Sequence, residues 1–123
     1  VLLEGMHAAQ HMLLAAIKLF VAHDPGDVDT EHAYPYQERI RPNHLVIYDT
    51  RPGGTGVCEA AFREGSWRLV EAALEMLSHC RCPLGCPSCV HSPCCSEHNL
   101  VINKRAAKII LAGILRGVAP DKL

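Results

Sequence analysis

The chain has 123 residues, 49% of them apolar, and a formal net charge of −1 with histidine neutral. That length suits one domain burying roughly two-thirds of the surface its unfolded chain would expose, so a real core is expected. The balanced charge leaves no overall basic footprint for nucleic acid, and no apolar run approaches the ~18 residues that a bilayer demands.

Charge is unevenly placed. Lys18 faces Glu4, Asp24, Asp27, Asp29, Glu31 and Glu38 in the first 38 residues, while Lys104, Arg105, Lys108, Arg116 and Lys122 oppose Asp121 alone near the end. No signal-peptide or lipidation pattern is seen, which predicts an intracellular, reducing compartment, cytoplasm or nucleus. The chain opens on Val1 inside a helical pattern, so it is expected to be cut from a longer polypeptide.

In chain order, Met6 to Ala22 predicts a helix that is apolar on most sides, with Met6, Ala9, Leu13, Leu14, Ile17, Phe20 and Val21 as its stripe. It should stop near Asp24, because Pro25 disfavours helical geometry in the residue before it. Residues 24–43 lack a period and read as loop with room for a short strand. His44-Leu-Val-Ile-Tyr-Asp49 is the best strand, β-branched and aromatic between Pro42 and Pro52. Arg51-Pro-Gly-Gly-Thr-Gly56 then turns into a second helix from about Val57, with Thr55 as candidate N-cap. Gly65-Ser66 interrupts that helix, and Trp67 to Leu77 carries Leu69, Val70, Ala73, Leu74 and Leu77 on one face. Asn103 predicts the N-cap of a last helix, Lys104 to about Leu115. The class is α+β, mostly helical, with a short strand or small sheet.

Between the last two helices, Cys80-Arg-Cys-Pro-Leu-Gly-Cys-Pro-Ser-Cys-Val-His-Ser-Pro-Cys-Cys95 packs six of the seven cysteines into sixteen residues. A disulfide framework spreads its cysteines to staple distant segments and needs an oxidising compartment. Metal binding explains the crowding directly, since a zinc ion wants four thiolates at about 2.3 Å and one short loop supplies them with little closure entropy. Pro83, Pro87 and Pro93 forbid a helix through the run, and Gly85 allows a sharp turn before Cys86. An iron–sulfur cluster takes four cysteines too, but the knuckle form of Cys86-Pro-Ser-Cys89 favours zinc. Cys86 and Cys89 are ligands by their spacing. Cys82 and Cys95 are workable beside them, and Cys80 and Cys94 are the spares, Cys80 being expected to end a helix and pack. Cys58 reads as a small core residue. Four cysteines fill the coordination sphere, so the ion is structural, one per chain. Arg81, His91 and Lys104 are nearby cations able to offset its thiolate charge.

Taken together, His7-Ala-Ala-Gln-His11, Ile47-Tyr-Asp-Thr-Arg-Pro-Gly-Gly-Thr-Gly56, the Cys80–Cys95 run, Asn99 and Lys104 resemble the MrfA-like zinc-binding domain, over nearly the whole chain. That domain is the C-terminal accessory domain of certain superfamily-two DNA repair helicases and occurs in anti-phage defence components. The resemblance implies a single domain over residues 1–123, the C-terminal fragment of a longer ATP-dependent helicase chain, with Cys82, Cys86, Cys89 and Cys95 as zinc ligands. Cys94 departs from the family's usual polar residue, and Asn103 replaces a frequent Asp while keeping the capping chemistry. The sequence has no Gly-x-x-x-x-Gly-Lys-Ser/Thr loop and no Asp-Glu-x-His box, so no catalytic residue is assigned and the fragment itself is expected not to be an enzyme.

His7 and His11 lie one helical turn apart without the glutamate of a zincin helix, and are read with Asp49 as structural polar groups, the imidazoles donating to buried carbonyls or to the Asp49 loop. Arg51, Lys104, Arg105 and Lys108 are the candidate nucleic-acid contacts. Tyr34, Tyr36 and Tyr48 with Arg39, Arg41 and Arg51 could stack on single-stranded DNA, or equally make a protein interface. Expected partners are the helicase motor domains of the same chain and DNA, single-stranded or forked, with no membrane and no small-molecule substrate. Two alternatives stand beside this: a protein-interaction module of a defence or repair complex without direct DNA contact, and a metal-dependent hydrolase built on His7, His11 and Asp49.

Overall fold

The structure is a computed structural model and describes residues 2–30, 45–63, 65–92, 95, 99–100 and 102–118. Three helices form the body: α1 (Leu2–Ile17), α3 (Ser66–His79) and α4 (Lys104–Leu115), each packed on the other two. A short helix α2 (Val57–Phe62) and a two-stranded antiparallel sheet, β1 (Val28–Thr30) and β2 (Ile47–Asp49), complete the described elements. The mostly helical α+β class follows the sequence pattern.

Helix α1 is the centre of the core. Met6, Ala8, Ala9, Met12, Ala16 and Ile17 are fully buried, and so is Gln10. The helix ends at Ile17, well short of Pro25, in a turn where the Val21 amide donates to the Ile17 carbonyl. Leu19 and Phe20 are left exposed there, although Phe20 was expected in the buried stripe. Past a turn of 3-10 helix at Pro25–Asp27, β1 pairs with β2 in the register Val28↔Asp49, Asp29↔Tyr48 and Thr30↔Ile47. The predicted strand at His44–Asp49 is shorter than expected, since Leu45 and Val46 are not in it; His44 lies outside the described residues.

The α1–α4 contact is close because Gly5 has no side chain. A Cβ at Gly5 would stand 2.6 Å from the Ala106 Cβ and 3.2 Å from the Ala106 backbone carbon. Backbone on the far side cannot yield as a flexible side chain would, so Gly5→Ala is expected to destabilise the zinc-loaded chain by about 1–3 kcal/mol through overpacking. A lowered urea midpoint with an unchanged slope would show it.

Asp49 starts α2. Its carboxylate accepts the Gly56 amide at 3.2 Å and the Cys58 amide at 3.1 Å. Gly56, at φ +81°, occupies the N-cap position with no side-chain cap, so the capping work expected of Thr55 is done from β2 instead. The Cys58 amide above all holds the Asp49 carboxyl below the usual carboxylate range. In α4 the expected cap is present: the side-chain Oδ1 of Asn103 accepts the Ala106 amide at 2.9 Å.

Candidate metal centre

Helix α3 ends at His79, and Cys80 continues in extended geometry (φ −82°, ψ 126°). On extended backbone, residues two apart point to the same side, so Cys80 and Cys82 present their sulfurs together. Gly85, at φ +126°, then reverses the chain against Val90: a Cβ there would stand 2.5 Å from the Val90 Cγ2. The Cys89 and His91 amides both donate to the Cys86 carbonyl, at 3.0 and 3.3 Å, which closes the knuckle.

The result is a group of four sulfurs: Cys80, Cys82, Cys86 and Cys89. Their separations are 3.6 Å for Cys80–Cys82, 3.5 Å for Cys80–Cys86, 3.3 Å for Cys82–Cys89 and 3.8 Å for Cys86–Cys89. A tetrahedron with zinc–sulfur bonds of about 2.3 Å has edges of about 3.8 Å, so the donor set fits a zinc ion with little adjustment. Among the described cysteines none is in a disulfide.

Cys95 is not in this group. Ser92 and Asn99 bracket it in sequence, and the Asn99 side chain accepts the Ser92 amide at 2.7 Å and donates to the Ser92 carbonyl at 3.1 Å. The Cys95 sulfur sits 3.5 Å from the His7 Nε2. The four-ligand set Cys82, Cys86, Cys89 and Cys95 is therefore corrected by the fold: Cys80 stands where Cys95 was placed. The C-x-C spacing at the end of a helix was the signal for it. Cys94 lies outside the described residues.

Lys104 was read both as a cation beside the thiolates and as a nucleic-acid contact, and the fold sets it against the cysteine loop. It is 5% exposed, and its Nζ donates to the Cys80 carbonyl at 2.8 Å, the Cys82 carbonyl at 2.7 Å and the Cys82 Sγ at 3.1 Å. A lysine in the first turn of a helix opposes the helix dipole; the thiolate cluster beneath is what makes this one favourable. It is turned away from solvent and is corrected as a phosphate contact. Burial pushes the Cys82 thiol up, but the Lys104 ammonium and the neighbouring thiols outweigh it and bring Cys82 down to about 6. Burial and the bond to Cys82 push Cys89 up. Four thiolates around a dication carry a formal charge of two minus, and one ammonium offsets half of it.

Of the other candidates, Arg105 and Lys108 are exposed on the outer face of α4. Arg51 is largely exposed, but its Nε is held by Asp27 at 2.8 Å, and that guanidinium keeps the Asp27 carboxyl below its ordinary range. Tyr48 is 43% exposed on β2; Tyr34, Tyr36, Arg39 and Arg41 lie outside the described residues. His11 donates to a buried carbonyl, that of Val90, at 2.6 Å. Asp49 joins neither histidine in a metal-holding group among the described residues, its carboxylate being spent on α2, so the hydrolase constellation is not assembled there.

Residues 9–90 match the profile of the MrfA Zn-binding domain. The chain belongs to that family. The match contains all four clustered cysteines and ends before Cys95, and the family's zinc accords with the donor set described above: the cluster fits one structural zinc. The chain is 34% identical over 120 residues to the ATP-dependent helicase HRQ1 of Saccharomyces cerevisiae, covering 90% of this chain and 11% of that one. It is 32% identical over 128 residues to the corresponding helicase of Schizosaccharomyces pombe, covering 90% and 12%. The chain thus spans about a tenth of the length of these helicases. An uncharacterized protein of Methanocaldococcus jannaschii is 32% identical over 116 residues, covering 89% of this chain and 99% of that one. No solved structure matches it.

Proposed function

We propose that the chain is a zinc-built accessory module of an intracellular ATP-dependent DNA helicase acting in DNA repair, with the motor domains elsewhere in the same polypeptide. The observation that carries this is the match of 90% of the chain to a segment of two proteins named as ATP-dependent helicases. The zinc, held by Cys80, Cys82, Cys86 and Cys89, fixes a loop between α3 and α4 and does no chemistry, because four thiolates leave no open position. Phe20 and Trp67, exposed at 43% and 55% and lining one groove, offer apolar surface for docking onto the motor. Arg105 and Lys108 meet phosphates of single-stranded or forked DNA, with Arg51 a lesser contact because Asp27 competes for it.

The test is forked-DNA binding by the motor-containing chain across a salt series. Replacing Arg105 and Lys108 by glutamate is expected to flatten the log–log salt dependence by about 1.4, two single-strand phosphate contacts at roughly 0.7 each. Zinc content should stay unchanged. An unaltered slope would remove these residues from the interface.

A second reading has its own support. The relative from Methanocaldococcus jannaschii consists almost wholly of this domain, and the net charge is −1. On this reading the chain is a protein-interaction module of a defence or repair complex that touches no DNA, and salt-dependent DNA binding by it should be absent.

A further inference from the structure

A second donor group stands apart from the four cysteines and touches the Val90 carbonyl through His11. His7 and His11, one turn apart on α1, are 2% and 5% exposed, and Cys95 joins them. One ligand atom from each of the three lies within 4.8 Å of the others. We propose that His7, His11 and Cys95 bind a second zinc-class divalent ion, distinct from the one among the four cysteines.

Four observations carry this. The His7 Nε2 to Cys95 Sγ distance of 3.5 Å equals the edge, about 3.5 Å, that a tetrahedral zinc spans between a nitrogen at about 2.0 Å and a sulfur at about 2.3 Å. The His11 Nδ1 lies 2.6 Å from the Val90 carbonyl; a carbonyl only accepts, so Nδ1 carries the proton and Nε2 carries the lone pair. An imidazole fixed by a backbone carbonyl through its other nitrogen is the usual support for a metal ligand. The Cys95 sulfur accepts the Asn99 amide at 3.3 Å, a donor that suits a thiolate. The two imidazoles meet edge to face, centroids 4.3 Å apart and planes at 71°, which brings two rings of one helix face to one point.

Electrostatics favour the pair of sites. A dication on two neutral imidazoles and one thiolate is a single positive charge, and it would sit beside a four-thiolate zinc of two negative charges. Three protein donors leave a fourth position for water, and a cleft of about 170 Å³ reaches one of them, His11. The donors are one sulfur and two imidazole nitrogens, a set suited to zinc over magnesium or calcium.

The test is metal titration of the reduced, metal-free chain in competition with a chromophoric chelator, first with Zn²⁺ and then with Co²⁺ as a spectroscopic probe. Two equivalents are expected, the second weaker. Its Co²⁺ spectrum should carry the charge-transfer intensity of one thiolate instead of four, with ligand-field bands at higher energy. Cys95→Ser and His7→Gln should each abolish the second equivalent and leave the first. Saturation of the unaltered chain at one equivalent with the four-thiolate spectrum would overturn the proposal, whether or not either variant folds. So would a second equivalent that survives both substitutions. Neither outcome bears on DNA binding, so the helicase assignment stands or falls separately.

Discussion

Cys80→Ser is expected to abolish binding at the four-cysteine centre and to unfold the chain at neutral pH, whereas Cys95→Ser keeps that ion and stays folded. Structural zinc contributes on the order of 10 kcal/mol to folding in small zinc peptides, and a domain of this size has about 5–15 kcal/mol in all. The centre is also continuous with the core: Cys89 and Val90 are buried, and Cys80, Cys82 and Cys86 pack against the main cluster. Losing the ion therefore frees more than a surface loop. Zinc content by elemental analysis, with thermal unfolding in the presence and absence of a strong chelator, checks the pair. If Cys95→Ser emptied the four-cysteine centre and Cys80→Ser left it filled, the ligand set Cys82, Cys86, Cys89 and Cys95 would be restored.

Lys104→Met should lower zinc affinity at that centre by roughly 10–100-fold, the usual effect of losing a group that supports the ligands. The methionine replaces the apolar stem but donates nothing to the Cys80 and Cys82 carbonyls or to the Cys82 sulfur, all within 3.1 Å of the ammonium. It also moves the pH response. The ammonium helps bring Cys82 to about 6 against the opposing effect of burial, so the thiolate survives acidification to about that pH. Without Lys104 the thiol rises, protons compete with zinc sooner, and the midpoint of zinc release shifts to higher pH. A chelator-dye titration between neutral and acidic pH measures the shift. Lys108→Met, an exposed change on the same helix, is the control and should leave the midpoint unmoved.

What the sequence could disclose depended on how local each cause was. Helix α4 was legible because its cap, Asn103, and its apolar period lie in one short segment. Zinc was legible because a thiol crowd has few other uses in a reducing compartment. The ligand choice was not, since it turns on an extended step after α3 and on contacts between elements, such as the Cys95 sulfur beside His7 of α1. Lys104 reads from sequence both as a cation for the thiolates and as the start of a basic helix face; the packing of α4 over the loop decides between them, and its place at the positive end of a helix was a hint. The early stop of α1 at Ile17 was likewise invisible, because Lys18-Leu-Phe-Val21 carries apolar residues at helical spacing and the chain turns before using them. Asp49 was placed beside the start of α2 by the Pro52-Gly-Gly-Thr-Gly56 turn, but its capture of the Cys58 amide is a contact between elements.

Val90 carries a consequence of its own. Its side chain is fully buried against the knuckle at Gly85, its amide follows Cys89 directly, and its carbonyl is taken by His11, 79 residues away on α1. One residue thus ties the cysteine loop to α1. Loss of the His11 bond is therefore expected to loosen, from the side of α1, the same loop that loss of one of the four clustered cysteines would release.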